Sequence, residues 1–138
     1  MHRREFDPKY PHGHGFIDAT SVKFAGNVSD VAAREMVKKL REQERCALVV
    51  CMSHLGYYED GKRGDTFVAA QVDGIDFIAS GHTHTFMEKP VTQTQPCGAK
   101  TLIFQVGKSG IYVGRVDFSF RSGKVAAVSA RLLDSRNV

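Results

Sequence analysis

A chain of 138 residues suits one domain or a large piece of one. Apolar residues at 42% exclude wholesale disorder, and no apolar run approaches the roughly 20 residues that a membrane-crossing helix needs. The net charge of +4 favours an anionic substrate, yet Lys38, Lys39 and Arg41 are interspersed with Glu35, Glu42 and Glu44, so no phosphate-tracking stripe forms and neither nucleic acid nor membrane is an expected partner.

Residues 1–20 read as loop, or as the remnant of a preceding segment, because Pro8, Pro11, Gly13 and Gly15 interrupt any apolar period. His12-Gly13-His14 is there taken as solvated loop, since glycine neighbours leave the imidazoles nothing rigid to hold them. No apolar segment follows Met1-His2-Arg3-Arg4, so the chain as written carries no signal peptide and reads as cytoplasmic. From residue 21 to 138 the chain reads as one unit.

Asp30 to about Arg45 is predicted to be an amphipathic helix, capped by Ser29 or Asp30, with Val31, Ala32, Met36, Val37 and Leu40 as its apolar face and Glu35–Lys39 as an i,i+4 pair. Residues 47–52, Ala-Leu-Val-Val-Cys-Met, form a short continuous apolar run, the mark of a strand buried on both faces. A polar loop spans 57–64, a short helix 65–72 and a second buried strand 75–79. Thr101 to Val106 is apolar, and Tyr112–Phe120 and Lys124–Leu133 alternate across Ser122-Gly123 as an antiparallel hairpin. This order gives an α/β layer running into a β layer. Of the three cysteines, Cys46 and Cys51 lie in or beside the apolar run; with Cys97 they make an odd number without a CxxC, against both a disulfide framework and a cysteine zinc site.

Both buried strands end in histidine: His54 after the first, His82 and His84 after the second. Ligands of open α/β sheets bind beyond the carboxyl ends of strands, and imidazole is a common ligand for zinc, manganese and iron. Read as extended backbone, His82 and His84 point to one side, and Gly81 leaves room for close approach. The three histidines are candidate metal ligands.

Ser53-His54-Leu55-Gly56, the run Asp73-Gly74-Ile75-Asp76-Phe77-Ile78-Ala79-Ser80-Gly81-His82-Thr83-His84-Thr85, and Gln105-Val106-Gly107-Lys108-Ser109-Gly110 through Gly114-Arg115 resemble, in order, signatures of the calcineurin-like metallophosphoesterases of 5′-nucleotidase type. The likeness covers roughly residues 20–120. It implies half of a four-layer α/β/β/α sandwich with a mixed sheet and C-terminal antiparallel strands. It also implies a phosphate monoester, commonly a nucleotide, as substrate. Two divalent metals about 3.5–4 Å apart would generate the attacking hydroxide. By motif, His54 and His82 would ligate one metal and His84 the other. The family often works outside the cytoplasm.

The family's Asp-x-His, GD-x-x-x-D and GNH[DE] motifs are not found in these 138 residues. Gly64-Asp65 lacks the following aspartate and lies on the wrong side of His54. The expectation is therefore a C-terminal half with no catalytic residue of its own. The alternative is a non-catalytic metal-binding half-domain that pairs with a separate N-terminal half. An exposed sheet edge further predicts a homodimer or a marginally stable chain. Asp73 reads as a turn residue, Asp76 is left without a role, and Arg115 reads as a solvated charge. Lys108 is weak evidence for phosphate, Gln105, Gly107 and Gly110 shape a loop bordering the metal site, and a lid role for Tyr57 and Tyr58 has no support in the sequence.

Overall fold

The computed structural model describes residues 14–18, 28–60 and 62–137. The chain runs through β1 (His14–Asp18), α1 (Val28–Lys38), β2 (Leu48–Met52), α2 (Asp65–Gln71), β3 (Phe77–Ala79), β4 (Val91–Thr94), β5 (Lys100–Phe104), β6 (Tyr112–Arg121) and β7 (Lys124–Asp134). A π-helical turn, Lys39–Gln43, prolongs α1. Strands β1 to β5 make one sheet in the order β1-β2-β3-β5-β4, with β1, β2, β3 and β5 parallel and β4 antiparallel to β5. Strands β6 and β7 make a separate antiparallel pair with a register shift at Ser119/Phe120.

Two expectations need correction. Residues 14–18 are not loop: they pair in parallel with β2, His14 opposite Leu48 through Asp18 opposite Met52. Glycine and proline hid the strand because backbone pairing with β2, not a local apolar period, makes it. His12 and Gly13 lie outside the described residues. The face of α1 also differs. Ala33 and Val37 are buried and Leu40 partly so, whereas Val31 and Met36 are exposed. The stripe that meets the sheet is 33, 37, 40, narrower than the face read from the helical spacing of the apolar residues. The ion pair on α1 is Arg34–Asp30 at 3.3 Å, and none joins Glu35 to Lys39 among the described residues.

The three central strands divide their side chains between two cores with the period of two that a pleated strand imposes. Val49, Cys51, Ile78 and Ile103 face α1 and α2, packing on Ala33, Val37, Val68 and Ala69. Val50, Phe77, Ala79, Leu102 and Phe104 face the hairpin, packing on Val116, Phe118, Ala130 and Leu132. Phe77 and Phe118 meet edge to face at 6.0 Å. The described residues thus form three layers: helices, mixed sheet, hairpin. No helix among them is long and apolar enough to cross a membrane.

Candidate functional site

The parallel strands end level with one another. The Ser53 amide donates to the Ala79 carbonyl at 2.9 Å and the Ser80 amide to the Phe104 carbonyl at 3.0 Å, so β2, β3 and β5 deliver their following residues to one end of the sheet. His54, His82 and His84 all lie there and all are exposed. The rings of His54 and His82 meet, centroids 5.3 Å apart and planes inclined by 69°. No ring contact joins His84 to that pair among the described residues.

The segment carrying His82 and His84 is not extended. Their φ values are +70° and +54°, in the left-handed region that side chains seldom occupy. The Thr83 amide donates to the Gly81 carbonyl at 2.9 Å, closing a tight turn. The period of two that aims alternate side chains of an extended strand to one side therefore does not apply to His82 and His84. Gly81 does permit close approach: a Cβ there would stand 2.9 Å from Nδ1 of His54. Gly56, at φ +97°, is required twice over, because a Cβ would also stand 2.7 Å from the Thr83 methyl.

Beneath the histidines lies a buried polar network that local sequence patterns do not signal. Asp65, the first residue of α2, is fully buried, and its carboxylate accepts from the hydroxyls of Ser53 and Ser80. Gln105 donates through Nε2 to Ser80 Oγ at 2.6 Å and to the Gly81 carbonyl at 2.7 Å. Its Oε1 accepts from the Thr83 hydroxyl at 3.1 Å and from the Thr85 amide. Thr83 Oγ1 in turn accepts from the Tyr57 amide at 3.2 Å. Burial pushes the Asp65 carboxyl up, opposed by the two serine hydroxyls and by His54.

Among the described residues, no cluster of three or more His, Cys, Asp or Glu side chains gathers closely enough to hold a metal ion. The loop after β5 borders the histidine turn: the Gly107 amide donates to the Thr85 carbonyl at 2.9 Å, and Phe86 bridges Val106. Lys108 in that loop is exposed. Asp73 is a turn residue whose carboxylate accepts from the Cys97 amide at 2.8 Å. Asp76 gains the role the sequence left open, pairing with Arg41 and the Val49 amide. Arg115 is exposed and pairs with Asp117. Tyr57 sits partly buried between both cores.

No protein-family model matches the chain. A 5′-nucleotidase of Vibrio vulnificus (strain CMCP6) is 33% identical in an alignment of 120 positions that covers 73% of this chain and 22% of that protein. The crystal structure of a 5′-nucleotidase precursor from Thermus thermophilus superposes with a TM-score of 0.66 at 25% identity, over 76% of this chain and 22% of that one. The chain is a partial-length relative of the 5′-nucleotidases. A third likeness, at 31% identity and TM-score 0.63 over 76% of this chain and 17% of that one, is to the Thermus thermophilus sulfate thiohydrolase SoxB in complex with glycerol. This 5′-nucleotidase relative spans about a quarter or less of the curated proteins it matches, 22% and 24% for two of them.

Proposed function

We propose that the chain forms the histidine-bearing part of a metal-dependent phosphoric monoester hydrolase acting on nucleotides, with His54 and His82 holding one divalent ion and His84 a second. The observation that carries this reading is the His54–His82 pair at the exits of two adjacent strands, 5.3 Å between ring centroids. Two imidazoles sharing one tetrahedral ion, each nitrogen about 2.0–2.1 Å from it, bring their centroids to about 5 Å. The pair therefore fits part of one ion's shell, and neutral imidazole suits zinc, manganese or iron.

A bound divalent ion would supply an acidic water and offset charge on the phosphoryl oxygens. This chain's residues hold the imidazoles at the carboxyl end of the central strands, open to an anionic substrate. An anionic ligand is still needed to balance two ions, and no such cluster lies among the described residues. The remaining ligands then come from outside them: from a separate N-terminal half or from a second copy. In this reading the helix, sheet and hairpin layers are three of the four layers of a metallophosphoesterase sandwich.

The same lack of clustered carboxylates favours a second reading, a half-domain that binds metal without turnover. Calorimetric titration with Mn²⁺ and Zn²⁺, beside aryl phosphate hydrolysis, separates the two. Both readings expect metal binding that falls in His54→Ala and His82→Ala. Turnover that vanishes in His84→Ala selects the hydrolase, and binding without turnover selects the half-domain. A folded chain that binds neither ion overturns both.

A further inference from the structure

We propose that Asp65 and Gln105 are positioning residues for the His54–His82 pair, acting through Ser53 and Ser80; the proposal rests on the reading that this pair binds a metal. The ladder between β2 and β3 holds the strands themselves, but it stops where the histidines begin. Past its end the backbone turns into the left-handed region at His82, so something else must fix the two exits.

The network does this with every proton assigned. The Ser53 hydroxyl donates to one carboxylate oxygen of Asp65 and accepts from the Leu55 amide at 3.1 Å. The Ser80 hydroxyl donates to the other oxygen and accepts from Gln105 Nε2. Gln105 uses its second Nε2 proton on the Gly81 carbonyl, and its oxygen on the turn at Thr83 and Thr85. One fully buried carboxylate thus ties the residue before His54 to the residue two before His82. The glutamine ties the turn that carries His82 and His84.

Stability alone gives no reason for this choice. A buried carboxylate whose hydrogen-bond donors are hydroxyls and not a cation is costly beside an apolar side chain of similar volume. At the far end of the same strands a neutral residue does the fold-holding task. Gln95, 5% exposed, accepts from the Gly74 amide at 2.7 Å and donates to the Ile75 carbonyl at 2.8 Å and to Thr101 at 3.0 Å. Among the described residues no histidine is a bonding partner of that cluster.

Gln95→Ala is therefore the matched control for Ser80→Ala and Asp65→Asn. An asparagine at 65 offers one acceptor oxygen where the carboxylate offers two, so in either amide orientation one serine proton loses its acceptor there. Two readouts are needed: Mn²⁺ and Zn²⁺ affinity by calorimetry, and, without metal, nuclear Overhauser contacts between the His54 and His82 rings. In the folded fraction of Ser80→Ala and Asp65→Asn, metal binding should weaken at least tenfold and the ring contact should fade. Gln95→Ala should lose stability and keep both. The proposal is overturned if Ser80→Ala and Asp65→Asn keep the ring contact, or if Gln95→Ala loses it equally. If wild type binds no metal, the metal reading fails separately, and the metal-free ring contact still decides whether the network positions the pair.

Discussion

Arg41 and Asp76 meet at the end of the sheet opposite the histidines, with Nη2 2.5 Å from Oδ2. All five guanidinium protons have acceptors there. Nε and Nη2 reach the Gly74 carbonyl, Nη1 reaches the carbonyls of Cys46 and Ala47, and Nη2 also reaches Asp76. The same carboxylate oxygen accepts from the Val49 amide at 2.7 Å. One planar fork thus joins the turn after α1 to the starts of β2 and β3.

Lysine cannot reproduce that fork, because its ammonium has three donors about one point. Arg41→Ala should lower stability by about 2–4 kcal/mol, since it leaves three carbonyls and a carboxylate short of a donor. Arg41→Lys should recover less than half of the loss. Arg34→Ala, which removes an exposed i,i+4 pair on the same helix, should cost about 0.5 kcal/mol or less. Urea unfolding midpoints measure all three, and a loss in Arg41→Ala no larger than in Arg34→Ala would refute the clamp.

What the sequence made legible follows from range. The helix near residue 30, the strands around 49, 77 and 102 and the hairpin after 112 are local patterns of burial, and each appears in the fold. β4 has no counterpart in the sequence reading: Val91 and Gln93 are partly buried while Thr92 and Thr94 face water at the sheet's edge, so the four residues look polar. β1 exists through pairing with a strand some 34 residues away. The histidines were found because two buried strands end in them. Asp65, Ser53, Ser80 and Gln105 were not found as a unit, because their bonds join residues 12, 15 and 25 apart with no local signature.

The carboxylates predict how the fold responds to acid. Hydrogen bonds from Arg136 hold the Asp134 carboxyl down, from 3.8 to about 2. A depressed value in the folded state contributes stability that is present above the ordinary value and lost as the pH falls through the folded one. That window runs from about pH 4 down to about pH 2. Asp117, beside Arg115, is shifted in the same direction. Asp65 acts with the opposite sign: burial raises its carboxyl, so its contribution is present at low pH and lost as the pH rises. Asp134→Asn should therefore remove a small part of the fall in stability between about pH 4 and 2 and lower stability near pH 7 by the same small amount, since the pair is exposed and screened. Unfolding midpoints across that range test this, and an unchanged slope would show that the Asp134–Arg136 bond does not persist in solution.

Gly81 offers a way to disturb the histidine pair without disturbing the fold. Its φ is not in the left-handed region, so an alanine there carries no backbone strain. Its added Cβ would stand 2.9 Å from His54 Nδ1, closer than carbon and nitrogen can rest, and 3.4 Å from the Ser53 carbonyl, which is ordinary contact. Only the imidazole must give way, and an exposed imidazole turns aside at little cost. Gly81→Ala should change the unfolding midpoint by less than about 1 kcal/mol in stability, within the range of ordinary surface substitutions or slightly above it. The ring contact between His54 and His82 should nonetheless weaken, and with it the metal affinity expected of the pair. A larger loss of stability would mean that the turn from Ser80 to His84 tolerates no side chain and cannot be probed in this way. Unchanged stability with an unchanged ring contact would mean that His54 is not seated against Gly81 in solution, and that the pair is not preformed there.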